Sequence, residues 1–235
     1  MEMDPPRKPG RPPGRTERGE EMRQRLYAIA LSEFSAKGYE QTTLTDIARA
    51  ADVSPALLYK YFPNKAAVVL ALYDELSTTY AETVHLPSGN WVDRFHLALD
   101  SSLRVLSPHR KSLSALLGVL LGDPSDGLFA ERTAFSRERV QPVFRAAVVD
   151  ASDAPKGEVG EALGRCAYLL QLAVILWWLL DRSPDQRATT GLIHLLKQAL
   201  PLVSWALMLP GTGALIQAAD TLATEAFFSV ELPSP

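Results

Sequence analysis

The chain has 235 residues, a formal net charge of −3 and a single cysteine, Cys166. That length suits a small domain beside a larger one, each with its own core. One cysteine excludes an internal disulfide and any CxxC metal site, and fits a reducing cytoplasm. The first 25 residues lack the apolar stretch of a signal peptide. The longest strongly apolar run, residues 166–180, falls short of the roughly 20 residues needed to cross a bilayer. A second uncharged run, 198–219, is broken by Pro201, Pro210, Gly211 and Gly213. The expectation is a cytoplasmic protein with no membrane partner.

Residues 1–19 read as a disordered basic arm. The segment Arg7-Lys-Pro-Gly-Arg-Pro-Pro-Gly-Arg15 is too rich in proline and glycine for a helix, and residues 5–18 carry a net charge of +4. By itself such a segment is a solvated tail. Beside a DNA-binding domain, Arg7, Lys8, Arg11 and Arg15 suit an extended arm entering an A·T-rich minor groove.

The stretch from Thr43 to Lys65 predicts two short helices joined by a tight turn, with a third helix beginning at Asn64. Thr43 is a good N-cap, and Asp46 three residues on makes a variant of the capping box. Leu44, Ile47, Ala48 and Ala51 recur at helical spacing. Asp52 and Val53 interrupt, and Ser54-Pro55 restarts the helix with a serine cap and a proline at its first position. Pro63 stops that helix near Phe62. Caps alone would fit any helical hairpin; the exposed residues say more. Leu58 and Phe62 are needed for packing, which leaves Pro55, Ala56, Leu57, Tyr59, Lys60 and Tyr61 outward. Small and apolar groups at a helix N-terminus suit base edges and thymine methyls. Tyr59, Lys60, Tyr61 and Lys65 suit phosphates, as does the helix N-terminus at Thr43.

Between about Glu20 and Leu76 the sequence closely resembles the tetracycline-repressor (TetR) family of transcriptional regulators. The residues that carry the likeness are Phe34-Ser-Ala-Lys-Gly-Tyr39, Thr42-Thr43, Asp46-Ile-Ala48, Val53-Ser54 and Leu58-Tyr-Lys-Tyr-Phe-Pro-Asn-Lys65, in the family's order and spacing. The resemblance implies an all-α dimer: an N-terminal helix-turn-helix DNA-binding domain plus a larger helical ligand-binding and dimerisation domain. Residues 20–65, continuing in a connecting helix to about 84, form the first; residues 66–230 form the second. Residues 55–61 become the recognition helix. Thr43, Tyr59, Tyr61 and Lys65 take phosphate roles, and Thr45, Ser54, Pro55, Ala56 and Leu57 lie near bases. Lys60 occupies a variable position. Leu57 departs from the family, which often has a polar residue there.

Past Lys65 the pattern is helical throughout: 64 to about 84, 91 to about 106, 109–121, 128 to about 149 with a bend at Pro142, 158–181, 185–209 and 214–228. Breaks fall at 85–90, 122–127 and 152–157. The two long helices are apolar on more than one face. Leu163, Ala167, Leu170 and Val174 line one stripe; Leu169, Ala173, Trp177 and Leu180 line another. One face then packs inward and the other on a second subunit, or both are buried within one chain. The resemblance favours a homodimer through these helices, reading a palindromic double-stranded DNA operator. It also implies a pocket among the middle helices for a small effector, for which Trp91, Phe95, Leu120, Phe135, Phe144, Tyr168 and Trp178 are candidates. The leucine and aromatic content points to a mostly apolar effector, whose binding releases the operator.

Charge is divided along the chain. Residues 1–65 carry +2 and the remainder −5, so attraction to DNA is local. His85, His96, His109 and His194 show no metal-binding spacing, and Gly211-Thr-Gly213 is too short for a dinucleotide loop. The sequence predicts no enzyme, cofactor or metal site. A non-specific architectural DNA binder is the alternative, and a large acidic body argues against it.

Overall fold

The computed structural model describes residues 17–122 and 125–228, so residues 1–16 of the arm, with Arg7, Lys8, Arg11 and Arg15, lie outside the described residues, while 17–19, expected as disordered arm, are the first turn of a helix. Within them the structure is all-α, with no strand. The chain divides into two compact units, 1–68 and 69–235.

The first unit contains α1 (Glu17–Lys37), α2 (Leu44–Ala50), α3 (Pro55–Tyr61) and the start of α4 (Lys65–Thr83). The predicted caps are present. Thr43 and Asp46 form a full capping box on α2, the Ser54 hydroxyl accepts from the Leu57 amide at 3.2 Å, and Asn64 accepts from the Ala67 amide at 2.8 Å. What the pattern did not reveal is how the turn between α2 and α3 is made. Asp52 adopts φ 52°, its amide donates to the Arg49 carbonyl, and the Val53 amide reaches back to Ala48 at 3.0 Å. This is a Schellman stop with aspartate where glycine is more usual. Arg25 adds a side-chain bond to the Ala51 carbonyl at 2.8 Å. Leu26, Ala30, Phe34, Ile47, Ala51, Leu58 and Phe62 are all at most 1% exposed and make one core. Burying such side chains contributes about 1.5–3 kcal/mol each.

The second unit holds the rest of α4 with α5 (Trp91–Leu106), α6 (Arg110–Ala115), α7 (Leu117–Gly122), α8 (Ala134–Val149), α9 (Glu158–Leu180), α10 (Arg187–Ala206) and α11 (Thr212–Phe227). Helix α9 is its axis: α8 and α11 pack along it, and α5 packs on α8. A Cβ on Gly164 would lie 3.0 Å from the Arg145 Cα, so the absence of a side chain there lets α8 and α9 approach closely. Helix ends are closed by arginines. Buried Arg94 donates to the Ala146 and Ala147 carbonyls near the end of α8, and Arg110 donates to the Trp178 and Asp181 carbonyls at the end of α9. A cation at a helix C-terminus satisfies orphan carbonyls and complements the dipole.

Two predicted helices come out differently. The one expected over 109–121 is broken at Leu116, which is fully buried between α6 and α7. The one expected from 128 begins at Ala134. Ahead of it, Arg137 binds the Leu128 and Ala130 carbonyls and Thr133 binds Gly127, which holds that stretch in turns. Helix α8 runs on through Pro142.

Helix α9 is 23 residues long with mean hydropathy 1.7, enough by length and composition alone to cross a membrane. Its neighbours bury 44% of that apolar stretch. Leu163, Ala167 and Val174 are buried, Leu170 is half-buried, and Leu169 faces a cavity. Ala173, Trp177 and Leu180 remain exposed.

Candidate nucleic-acid interface and ligand cavity

Helix α3 buries one side chain in the core of the first unit and leaves the others wholly or partly exposed. Leu58 is fully buried, and Phe62 beyond the helix end is 1% exposed, so these two anchor the element. Ser54, Pro55, Ala56 and Lys60 are exposed, Tyr59 is 51% exposed, and Leu57 and Tyr61 are half-buried. Thr43 and Thr45 are also exposed at the start of α2.

Two of the expected phosphate groups are already engaged within the protein. The Thr43 amide and hydroxyl both donate to the Asp46 carboxylate, at 3.1 and 2.5 Å. Those bonds hold the Asp46 carboxyl below the usual carboxylate range. Lys65 donates to the Tyr39 carbonyl at 2.7 Å and stands over the Tyr39 ring. The Thr43–Asp46 pairing is the expected capping box, whereas nothing in the local pattern announces the Lys65 contact. Short polar side chains beside a helix start find local partners first.

The second unit encloses a cavity of about 430 Å³. Tyr73, Leu76 and Tyr80 of α4 form one wall, Leu169, Leu172 and Leu176 of α9 another, and Phe129 and Phe227 a third. Polar groups are few: Ser77, Ser102, Thr133, Ser136, Arg137 and Gln171 stand among the lining. Burial pushes the Tyr80 hydroxyl far above its ordinary pKa and that of Tyr168 up to about 12, so both are neutral donors at physiological pH.

Of the seven residues picked from sequence for this pocket, Leu120 and Tyr168 line it. Trp91, Phe95 and Phe144 do not: they are close-packed core, at most 2% exposed. Trp178 is buried beside Arg110 and donates to Gln186, while Phe135 stacks with Arg139. Large aromatics fill the core, and the cavity lies where leucines and smaller groups leave space. A signal for it was available in Gln171 and Arg137, polar residues within apolar helical faces. Among the described residues no group of three or more His, Cys, Asp or Glu could hold a metal ion.

Residues 26–72 match the family described as bacterial regulatory proteins, tetR family. The HTH-type transcriptional regulator HbdR of Aromatoleum sp. is 35% identical over 65 residues, which span 28% of this chain and 28% of that protein. The HTH-type transcriptional repressor KstR of Rhodococcus jostii is 32% identical over 87 residues, 37% of this chain and 41% of that protein. The chain therefore matches well under half the length of these relatives. In structure the likeness is longer: a tetR-family transcriptional regulator from Streptomyces coelicolor aligns over 91% of this chain and 92% of its own, at 26% identity and a TM-score of 0.59. FadR from Bacillus subtilis, solved in complex with stearoyl-CoA, shares the fold over 74% of this chain and 96% of its own, at 15% identity and a TM-score of 0.59. The helix-turn-helix of α2 and α3 thus lies within the residues that match the tetR family of bacterial regulatory proteins, and the relatives matched there are transcriptional regulators.

Proposed function

We propose that the protein is a ligand-responsive repressor that binds a palindromic DNA operator as a homodimer and leaves it when a small, mostly apolar effector enters the cavity. The observation that carries this reading is the coexistence, in one chain, of an outward-facing α3 capped by Ser54 and an apolar cavity lined by α4, α5, α8 and α9. Thr43, Tyr59, Lys60, Tyr61 and Lys65 hold phosphates and set the register. Thr45, Ser54, Pro55, Ala56 and Leu57 face the bases.

The dimer reading is supported by what α9 and α10 leave uncovered. Ala173, Trp177 and Leu180 on α9, with Leu195, Leu202 and Trp205 on α10, are exposed at helical spacing. An apolar surface of that kind marks an interface. FadR, of the same fold, was solved with stearoyl-CoA, which fits the apolar character of the cavity here.

Selection of bound sequences from random DNA tests the reading, followed by competition against unrelated duplex. A regulator prefers its selected, two-fold-symmetric site by about a thousandfold or more. Equal affinity for all duplexes would instead make the protein a non-specific architectural binder.

A further inference from the structure

The polar groups of the cavity point to a particular class of ligand. Arg137 is the one charged residue lining it among the described residues. Arg137 forms no ion pair among those residues; its Nη1 bonds only neutral acceptors, the Leu128 and Ala130 carbonyls and the Thr133 hydroxyl. An unpaired guanidinium beside apolar walls is costly to leave without an anion.

A second group is also short of a partner. Gln171 is 3% exposed; its Nε2 meets the Ser102 hydroxyl at 2.9 Å, while its Oε1 has no hydrogen bond. The serine hydroxyl can accept or donate, and an amide can turn end for end. In the turned form Ser102 donates to Oε1 and the NH2 group is left for the ligand. Tyr168, three residues earlier on the same face of α9, makes no hydrogen bond with its hydroxyl among the described residues. The Arg137 charge acts on that hydroxyl. A cation, a phenol and an amide NH2 thus offer donors, and among the described residues no lining residue carries negative charge.

We propose that the cavity receives an apolar monocarboxylate, with its carboxylate paired to Arg137 and hydrogen-bonded by Tyr168 and Gln171. This rests on the effector reading above and names the ligand's chemistry. A neutral apolar ligand would leave the guanidinium and the amide without partners, and an amine would meet a like charge.

Calorimetric titration of the full-length protein with decanoate, decan-1-ol and decylamine tests it. Decanoate binds about ten- to a hundredfold tighter than decan-1-ol, the worth of one charge-assisted bond, and decylamine binds weakest. Arg137→Gln removes the advantage of decanoate over decan-1-ol. Tyr168→Phe reduces that advantage and serves if Arg137→Gln fails to fold. Leu172→Trp fills the cavity and abolishes binding of every probe. Decan-1-ol binding as tightly as decanoate, in a manner lost in Leu172→Trp, overturns the carboxylate and leaves the effector reading standing. An advantage for decanoate that survives both Arg137→Gln and Tyr168→Phe does the same. Binding of none of the three probes overturns both.

Discussion

Lys65 Nζ donates to the backbone carbonyl of Tyr39 at 2.7 Å and stands 4.3 Å from the centre of the Tyr39 ring. The first residue of α4 is thereby tied to the turn after α1. Lysine can serve this contact and still turn a donor toward a phosphate, because its ammonium carries three.

Lys65→Ala therefore has two effects. Stability falls by about 1–2 kcal/mol from the lost cation–π and charge-assisted contacts, read from thermal unfolding. Affinity falls by the same factor on the selected operator and on unrelated duplex, because phosphates carry no sequence information. A shift in sequence preference at unchanged overall affinity would remove Lys65 from the phosphate set.

Base-facing positions behave in the opposite way. Substituting Ala56 or Thr45, both exposed, changes which operator is chosen, at about 1–3 kcal/mol per base contact. Repeating the random-sequence selection with Ala56→Ser reads this directly. An unchanged consensus with uniformly weaker binding would place Ala56 against the backbone.

Much of this architecture was legible because local chemistry and burial agree. Thr43, Ser54 and Asn64 each announce a helix start, and each caps one. The stop at Asp52 was not legible, since a left-handed aspartate looks like any polar interruption. The cavity was the larger miss. An aromatic residue signals burial, and burial is what Trp91, Phe95 and Phe144 have; the space between the helices was marked in the sequence only by Gln171 and Arg137, polar residues on apolar faces. Similarly, the two apolar stripes of α9 were visible, but which one faced outward depended on where α8 and α11 pack.

That outcome sharpens a test of assembly. Val174 is 2% exposed, so a charge there unfolds the second unit instead of dissociating it. Leu202, 68% exposed on α10, is the better probe. Leu202→Asp yields a folded monomer by sedimentation at micromolar concentration, with wild-type helicity and poor operator binding. A wild-type protein that sediments as a monomer would defeat the dimer reading.

His96 makes stability depend on pH. It is 5% exposed, and neither ring nitrogen has a hydrogen-bond partner. Burial lowers its pKa below the ordinary 6.5; Lys197 on α10 acts in the same direction, and Asp93 and Asp100 on α5 oppose it. The Leu196 backbone lies near enough to act on the ring but falls short of hydrogen-bond geometry. The unfolded chain therefore takes up a proton near pH 6.5 while the folded ring stays neutral. More protons bound when unfolded means that stability falls as pH drops through 6.5 and continues to fall to the folded pKa. Thermal unfolding between pH 7.5 and 5.5 checks this: wild type loses more stability than His96→Gln. Equal losses would show that the ring is not held neutral.

The arm supplies the last test. Deleting residues 1–16 removes Arg7, Lys8, Arg11 and Arg15 and spares α1, which begins at Glu17, so helicity and thermal stability hold. Two copies in a dimer lose eight positive charges, two for each of the four residues. If each neutralised one phosphate, the slope of log affinity against log salt would flatten by about 7. An extended arm seldom seats every charge at once, so the change is smaller, and it is largest on operators with A·T-rich flanks, where the narrow minor groove concentrates negative potential. The measurement is a salt titration of full-length and truncated protein on one operator, repeated with G·C-rich flanks. Identical affinities and slopes would make the arm a solvated tail. A uniform loss on both flanks would make it a phosphate contact with no preference for the groove.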